Sequence, residues 1–293
     1  MTAQASKHLL AIRPKSFAFN TETSKSNSFQ KDNWNELEKS KIGSKAIQEF
    51  NRAIELLHAH EIEVTVFEDT LEPKKPDAIF PNNWFSTHRN QVVIYPMMTP
   101  NRRAERRVDI INSILDNRFV LDLSHFELQC KYLEGTGSIV FDHNLKRAFA
   151  ACSPRTNTEV LNELCKKIGY KSFVFSTSSN IYHTNVLMSI GSQYSLICKD
   201  ELVGDEYLEL IRFFDSSKNI IEISSQQMNA FCGNILEVRN SAEKSFVVMS
   251  ETAFSSFSKT QIEAFKCEPI VVSIPTIERI GGGGIRCMLA ELF

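Results

Sequence analysis

The stretch Ile280-Gly281-Gly282-Gly283-Gly284-Ile285-Arg286-Cys287 places a thiol just after four consecutive glycines and beside an arginine. Glycines let backbone N–H groups come close to a substrate or a developing oxyanion. A neighbouring cation favours the nucleophilic thiolate. A second thiol, Cys232 in Phe231-Cys232-Gly233-Asn234, has no charged neighbour, so local context favours Cys287 as a nucleophile. The glycine run does not read as a phosphate loop, because no Lys-Ser/Thr follows it and a strand rather than a helix is expected next. His183, in Ile181-Tyr182-His183-Thr184-Asn185, offers an imidazole for acid–base work. Glu134, ahead of Gly135-Thr136-Gly137, and Asp77 offer carboxylates. Taken singly, a histidine or a carboxylate beside a turn is ordinary. Their place in a repeat gives them weight.

That repeat is one of hydrophobic rhythm, not of letters. Strand-like runs open four blocks at Ala78 to Ser86, Gly137 to Asp142, Val186 to Gly191 and Asn234 to Val238. Second runs follow at Val92 to Tyr95, Ala148 to Cys152, Tyr194 to Cys198 and Phe246 to Ser250. An amphipathic stretch and a third run complete each block: Phe119 to Leu123, Phe173 to Phe175, Ile220 to Ser224, and Ile270 to Ile274. The unit reads ββαβ and recurs about every 50–60 residues, as radial or stacked arrays do. Two helical faces are legible at Val108, Ile111, Ile114 and Leu115, and at Val160, Leu161, Leu164, Cys165 and Ile168. The N-terminal region supplies a strand (Leu9 to Ile12), a helix with Ile42, Ala46, Ile47, Phe50, Ala53, Ile54 and Leu57 on one face, and a strand (Ile62 to Phe67). It is one strand short, and Met288 to Phe293 is a lone strand at the other end.

The economical expectation is an α/β propeller of five ββαβ modules around a pseudo-fivefold axis. It would form a single domain over 1–293, with the C-terminal strand completing the N-terminal module. Closure removes open sheet edges. It also gathers equivalent positions around the axis: Asp77, Glu134, His183, Cys232 and Cys287 each precede a first strand. The polar stretch Asn20 to Asn33 reads as a long surface loop.

Composition narrows the function classes. A net charge of −2 gives no basic face for nucleic acid. No apolar run approaches the roughly 20 residues that span a bilayer, and Met1 to Lys7 carries no signal-peptide pattern. The seven cysteines show no CxxC pairing. Neither a disulfide framework nor a zinc site is therefore expected, and the chain reads as cytoplasmic. Cys152, Cys165 and Cys198 read as core fillers, and His8, His58, His60, His88, His125 and His143 as structural. No His/Asp/Glu pair has metal-ligand spacing, and no cofactor is expected. Oligomeric state, a homo-oligomer included, stays open.

Pro76-Asp77-Ala78-Ile79-Phe80, Leu133-Glu134-Gly135, Ser153-Pro154-Arg155-Thr156-Asn157, the His183 segment and Gly282 to Met288 occur in the order found in the pentein superfamily of guanidino-group-modifying enzymes, which the chain resembles. The resemblance implies a five-bladed α/β propeller with Cys287 as nucleophile and His183 as general acid/base. It makes Glu134 and Asp77 substrate-gripping carboxylates, Asp77 toward the α-amino end. Arg155 and Arg102 would hold the α-carboxylate, a task that suits the arginine fork. Dimethylarginine hydrolases carry two acidic residues five and six places after this aspartate, where the chain has Asn82 and Asn83. An asparagine amide donates to a carbonyl oxygen, which a carboxylate cannot do. The pattern therefore looks most like the citrulline-hydrolase branch, converting L-citrulline to L-ornithine, ammonia and CO2. Asn185 weighs the same way, since deiminases often place Asp two residues after the histidine. The alternatives are an arginine deiminase, a dimethylarginine hydrolase-type enzyme, and a non-catalytic binder like the superfamily members that bind ribosomal subunits. The implied partner is a small amino acid, citrulline or arginine-like.

Overall fold

The computed structural model describes residues 3–32, 35–179 and 181–293. Its strands are β1 (His8–Arg13), β2 (Glu63–Glu68), β3 (Phe85–His88), β4 (Gln91–Ile94), β5 (Phe119–Asp122), β6 (Val140–Asp142), β7 (Arg147–Ala151) and β8 (Lys171–Phe175). They continue with β9 (Met188–Ile190), β10 (Tyr194–Cys198), β11 (Asn219–Ile223), β12 (Leu236–Arg239), β13 (Ser245–Ser250), β14 (Glu268–Val272) and β15 (Ala290–Leu292). They form five three-stranded sheets in a mixed α/β fold. In four of them a first strand runs antiparallel to the middle one and a third runs parallel to it: β3-β4-β5, β6-β7-β8, β9-β10-β11 and β12-β13-β14. In the remaining sheet β15 takes the first position, pairing antiparallel with β1 through Leu10↔Ala290, while β2 lies parallel to β1.

Each parallel pair needs a crossover, which a helix supplies. Ile42–Ala59 does this in the first module, burying Ile42, Ala46, Phe50, Ala53, Ile54 and Leu57. Thr158–Ile168 does it in the third, where the Asn157 side chain accepts from the backbone N–H of Glu159 and Val160, and Gly169 ends the helix in the left-handed region. In the second module the buried face of Val108–Leu115 is Ile110, Ile111 and Ile114. Val108, expected on that face, is 73 % exposed: it is the first residue of the helix, and the buried face begins at Ile110.

The apolar core lies between modules as much as within them. Leu10 and Ile12 of β1 pack with Trp84, Phe85 and Val92 of the second module and with Ala290 of β15. Polar contacts tie the first strands together: Thr87 Oγ1 donates to Glu291 O (3.0 Å), and Ser189 Oγ to Ile235 O (3.1 Å).

Two expectations change. The runs beginning at Ala78, Gly137, Val186, Asn234 and Met288 are not strands from their first residue. One-turn helices at Pro81–Asn83, Gly135–Ser138, Thr184–Val186 and Ile285–Met288 precede β3, β6, β9 and β15. Each turn satisfies its own backbone, as where Trp84 N donates to Pro81 O (3.3 Å), and this frees its side chains to point away from the sheet. The stretch beginning at Asn20 is a surface loop on one side only: Thr21, Lys25 and Ser28 are exposed, but the other side is turned inward. Asn20, Thr23, Asn27 and Gln30 are buried, and their polar groups bond inward. Asn33 lies outside the described residues.

Candidate active site

The short turns carry the candidate groups. Glu134 and His183 are the residues just before the turns at 135–138 and 184–186, so both enter the site at the same level. Cys287 sits inside its turn, level with Asn185: each lies three residues ahead of its strand. Asp77 is further upstream, before the turn at 81–83. The register expected from the sequence is therefore staggered, and Cys232 drops out of it. Its thiol points into the core and donates to Ala253 O (3.5 Å), with burial pushing it up to about 12. Cys152, expected in the core, is exposed just beyond the end of β7.

Cys287, His183, Asp77, Asn83, Arg102 and Arg155 line one cavity, walled further by Tyr182 and by Gly281 to Gly283. Gly137 permits its closest approach. A Cβ there would stand 2.4 Å from Asn83 Nδ2 and 2.7 Å from the His183 ring, so only glycine lets these two side chains face each other. Tyr182 braces the glycine loop by donating its hydroxyl to Gly282 O (2.5 Å). Behind the loop, the buried Glu49 carboxylate accepts from the N–H groups of Thr276 and Ile277 (both 3.0 Å) and so caps the helix Pro275–Gly281 that feeds it.

His183 Nε2 lies 2.8 Å from Glu134 Oε2. Burial works against the Glu134 charge, yet the Arg155 charge, the His183 hydrogen bond and Arg102 hold its carboxyl below the usual range. An ionised carboxylate only accepts, so Nε2 carries the proton and Nδ1 is the basic nitrogen. Burial takes His183 down to about 4 despite Glu134, leaving a neutral imidazole at pH 7. Both Glu134 oxygens are occupied, Oε1 by Met98 N–H (3.0 Å) and Oε2 by His183 and by Arg155 (3.2 Å). Glu134 was expected to grip substrate. In this structure both its oxygens are instead engaged by Met98, His183 and Arg155.

The Cys287 thiol is buried, which pushes it up, opposed by hydrogen bonds from Asn234 and Asn185 and by the charges of Arg286 and Arg102. Asn185, expected against substrate, has its amide nitrogen 3.5 Å from Cys287 Sγ. Asn82 is likewise not in the cavity, since its amide donates to Thr136 Oγ1 (3.2 Å) and ties two turns together. Arg102 makes two charge-assisted bonds to Glu105 (both 2.8 Å) and donates to Asn83 Oδ1 (2.8 Å). That last bond fixes the Asn83 amide. Its Nδ2 is buried and has no hydrogen-bond partner among the described residues.

Asp77 and Arg155 meet the segment from Asn20. Asp77 Oδ2 accepts from Asn20 Nδ2 (2.8 Å) and Thr23 Oγ1 (3.0 Å), and burial raises the Asp77 carboxyl against the pull of Arg102. Arg155 donates to Thr23 O (3.0 Å) and Ser26 Oγ (2.7 Å). With this segment in place the cavity holds only about 10 Å3, the scale of one water. Sequence reasoning missed Asn234, Glu105 and Tyr182. The first had a usable signal, two residues after Cys232 at a turn. The other two had none.

Several solved structures share this fold. The N-terminal domain of ArgZ, an arginine dihydrolase from cyanobacteria, solved with bound substrate, is 14% identical with a TM-score of 0.77, the match covering 97% of this chain and 98% of that one. AgrE with ornithine and NAD+ is 15% identical with a TM-score of 0.79, covering 98% of this chain and 39% of that one. The dimethylarginine hydrolase DDAH from Pseudomonas aeruginosa, solved with citrulline, is 17% identical with a TM-score of 0.69, covering 98% and 99%. No curated protein matches the sequence. Among the described residues no helix is long and apolar enough to cross a membrane. The family described as eukaryotic N,N-dimethylarginine dimethylhydrolase matches residues 13–293, and the chain belongs to that family, within the pentein superfamily of guanidino-modifying enzymes.

Proposed function

We propose that the chain is a thiol-dependent C–N hydrolase acting on the terminal carbon of an arginine-like amino acid, and that its preferred group is the neutral ureido of L-citrulline. One observation carries the preference: the Asn83 amide is held by Arg102 with its Nδ2 unpartnered beside His183. That donor suits a carbonyl oxygen and repels a guanidinium nitrogen. Asp77 and Arg155 would take the α-amino and α-carboxylate groups once the segment 20–30 moves off them. Arg102 is bound to Glu105 and acts on Asn83 instead.

In the first half-reaction the Cys287 proton passes, through a water or the bound ureido group lying between them, to the neutral His183, and sulfur attacks the ureido carbon. The C–NH2 bond breaks, and His183 returns the proton to the departing ammonia. This leaves a carbamoyl thioester. His183 then takes a proton from water, hydroxide displaces sulfur, and the resulting carbamate loses CO2 to give L-ornithine. Glu134 keeps the ring oriented and stabilises the imidazolium that forms. The Asn83 amide faces the developing oxyanion.

A second reading, hydrolysis of a guanidino group, is favoured by the family match and by the arginine chemistry of the ArgZ and DDAH structures. The same thiol and imidazole would perform it. The test is one assay of citrulline, arginine and dimethylarginine side by side, following ornithine, citrulline and ammonia. Ornithine from citrulline at the highest kcat/KM is the expected result. Citrulline accumulating from arginine or dimethylarginine, with none of it consumed, would replace the ureido reading by the guanidino one.

A further inference from the structure

Cys287 Sγ has two amide donors and, among the described residues, no imidazole or lysine within hydrogen-bond reach. Asn234 Nδ2 stands 3.2 Å from the sulfur and Asn185 Nδ2 3.5 Å. Three turns bring these atoms together: the fourth module's turn at 184–186, the loop ahead of β12, and the closing turn at 285–288. Packing leaves no slack. A Cβ at Gly233 would meet Val186 O at 2.1 Å, so glycine alone lets the loop before β12 lie on the neighbouring turn. The next residue is then delivered under the thiol. Asn234 Nδ2 also donates to Asn185 O (3.1 Å), which sets its amide with the nitrogen toward sulfur. Asn185 can serve either form of the sulfur. Its Nδ2 faces a thiolate, and its Oδ1 lies 3.9 Å away for the S–H of a thiol.

We propose that Asn234, together with Asn185, anchors the Cys287 sulfur as thiolate through two neutral amide N–H donors, and that Asn234 is a residue of the reaction centre. Hydrogen bonds to a charged partner are stronger than those to a neutral one, so the pair favours the ionised sulfur over the thiol. This inference rests on Cys287 being the nucleophile and is independent of which substrate it attacks. The titratable and charged groups around the thiol are Tyr182 and His183 from the fourth module, Asp77, Arg102 and Arg155 across the cavity, and Arg286 on its own turn. None of them takes the place of the two amides. His183 is bonded to Glu134, and Arg286 turns away to Leu289 O and Glu291.

The test reads the sulfur directly. Ultraviolet thiolate absorbance is titrated in the whole protein and in Asn234→Ala, Asn185→Ala and the isosteric Asn234→Asp, each as a difference against its own Cys287→Ser partner. Asn234→Ala is expected to move the midpoint up by about one pH unit, a roughly tenfold loss of thiolate at neutral pH. Asn234→Asp should move it further, since a carboxylate repels the sulfur charge. At saturating pH the variants should recover activity toward whichever substrate the protein turns over. Unchanged midpoints in Asn234→Ala and Asn234→Asp, with thermal stability retained, would overturn the proposal. A shifted midpoint in a protein that hydrolyses none of the three amino acids would instead sink the proposed function and leave the anchoring intact.

Discussion

Cys232 and Cys287 both lie just ahead of a module's first strand, and both are buried. Their surroundings differ in kind. Cys232 gives its proton to a backbone carbonyl among Met228, Val247, Met249 and Ala253, and its one charged influence, Glu278, also disfavours ionisation. Cys287 faces a cavity with an imidazole on its wall and receives two amide N–H groups. Burial alone makes a thiol inert; donors aimed at the sulfur make burial useful. The same contrast divides His88 from His183. Both rings are driven to about 4 by burial, but only His183 has a carboxylate to steady a positive charge.

The sharpest break would come from exchanging the fates of the two thiols. Cys287→Ala should abolish turnover, by about 10⁵-fold or more as nucleophile deletions do. Cys232→Ala should keep activity within about threefold and lose about 1 kcal/mol of stability. Activity surviving the first and dying with the second would mean the wrong sulfur has been chosen. Next in size, Glu134→Gln removes the charge behind the imidazole while keeping an acceptor for it, and kcat should fall by about 10²–10⁴-fold with KM little changed. If KM rises instead and kcat holds, Glu134 grips substrate after all. Asn83→Asp should swing the citrulline-to-arginine ratio of kcat/KM toward arginine by on the order of 10²-fold, the scale of one buried ion-pair partner. Equal loss for both substrates would remove the ureido argument.

The smallest effect concerns pH. Free imidazole titrates near about 6.5, whereas His88 and His183 hold no proton until about 4. Both folded values are depressed, so the unfolded chain binds more protons between these limits. The contribution of these two rings to stability is then full above about pH 6.5 and is lost as pH drops toward 4, while Glu105 and Glu278, raised by burial to about 7, contribute with the opposite sign. His88→Gln should flatten part of that slope and leave turnover near wild type, as read from urea midpoints at pH 7 and 4.5. A slope that does not change would show that His88 is not held neutral.

The module rhythm was legible because each β-branched or aromatic run is long enough to show its period, as in Val92 to Tyr95 or Tyr194 to Cys198. The turns before the first strands were not. A single helical turn such as Thr184–Val186 is too short to carry a 3.6-residue pattern, so those residues merged with the strand that follows. This is why Cys232 and not Asn234 was drawn to the centre: the stagger between neighbouring turns is a tertiary fact. The polar stretch from Asn20 misled for a related reason. Asn20, Thr23 and Ser26 look solvated by composition, yet each answers a buried charge whose sequence position is 54 to 129 residues away. Glu134 was found by type, but whether a buried carboxylate touches ligand or imidazole depends on distances that no local pattern encodes.

The contacts of residues 20–30 with Asp77 and Arg155 bear on selectivity. Any entrant must first find the segment undocked, so its apparent affinity is the intrinsic one diminished by the open fraction. On the proposed function, a free amino acid would bring an ammonium for Asp77 and a carboxylate for Arg155, and thus replace what the segment withdraws. Urea, an alkylurea, or the same side chain within a polypeptide brings neither. Such compounds would leave two buried charges bare, so discrimination against them would be enforced at the entrance, before the sulfur is ever reached.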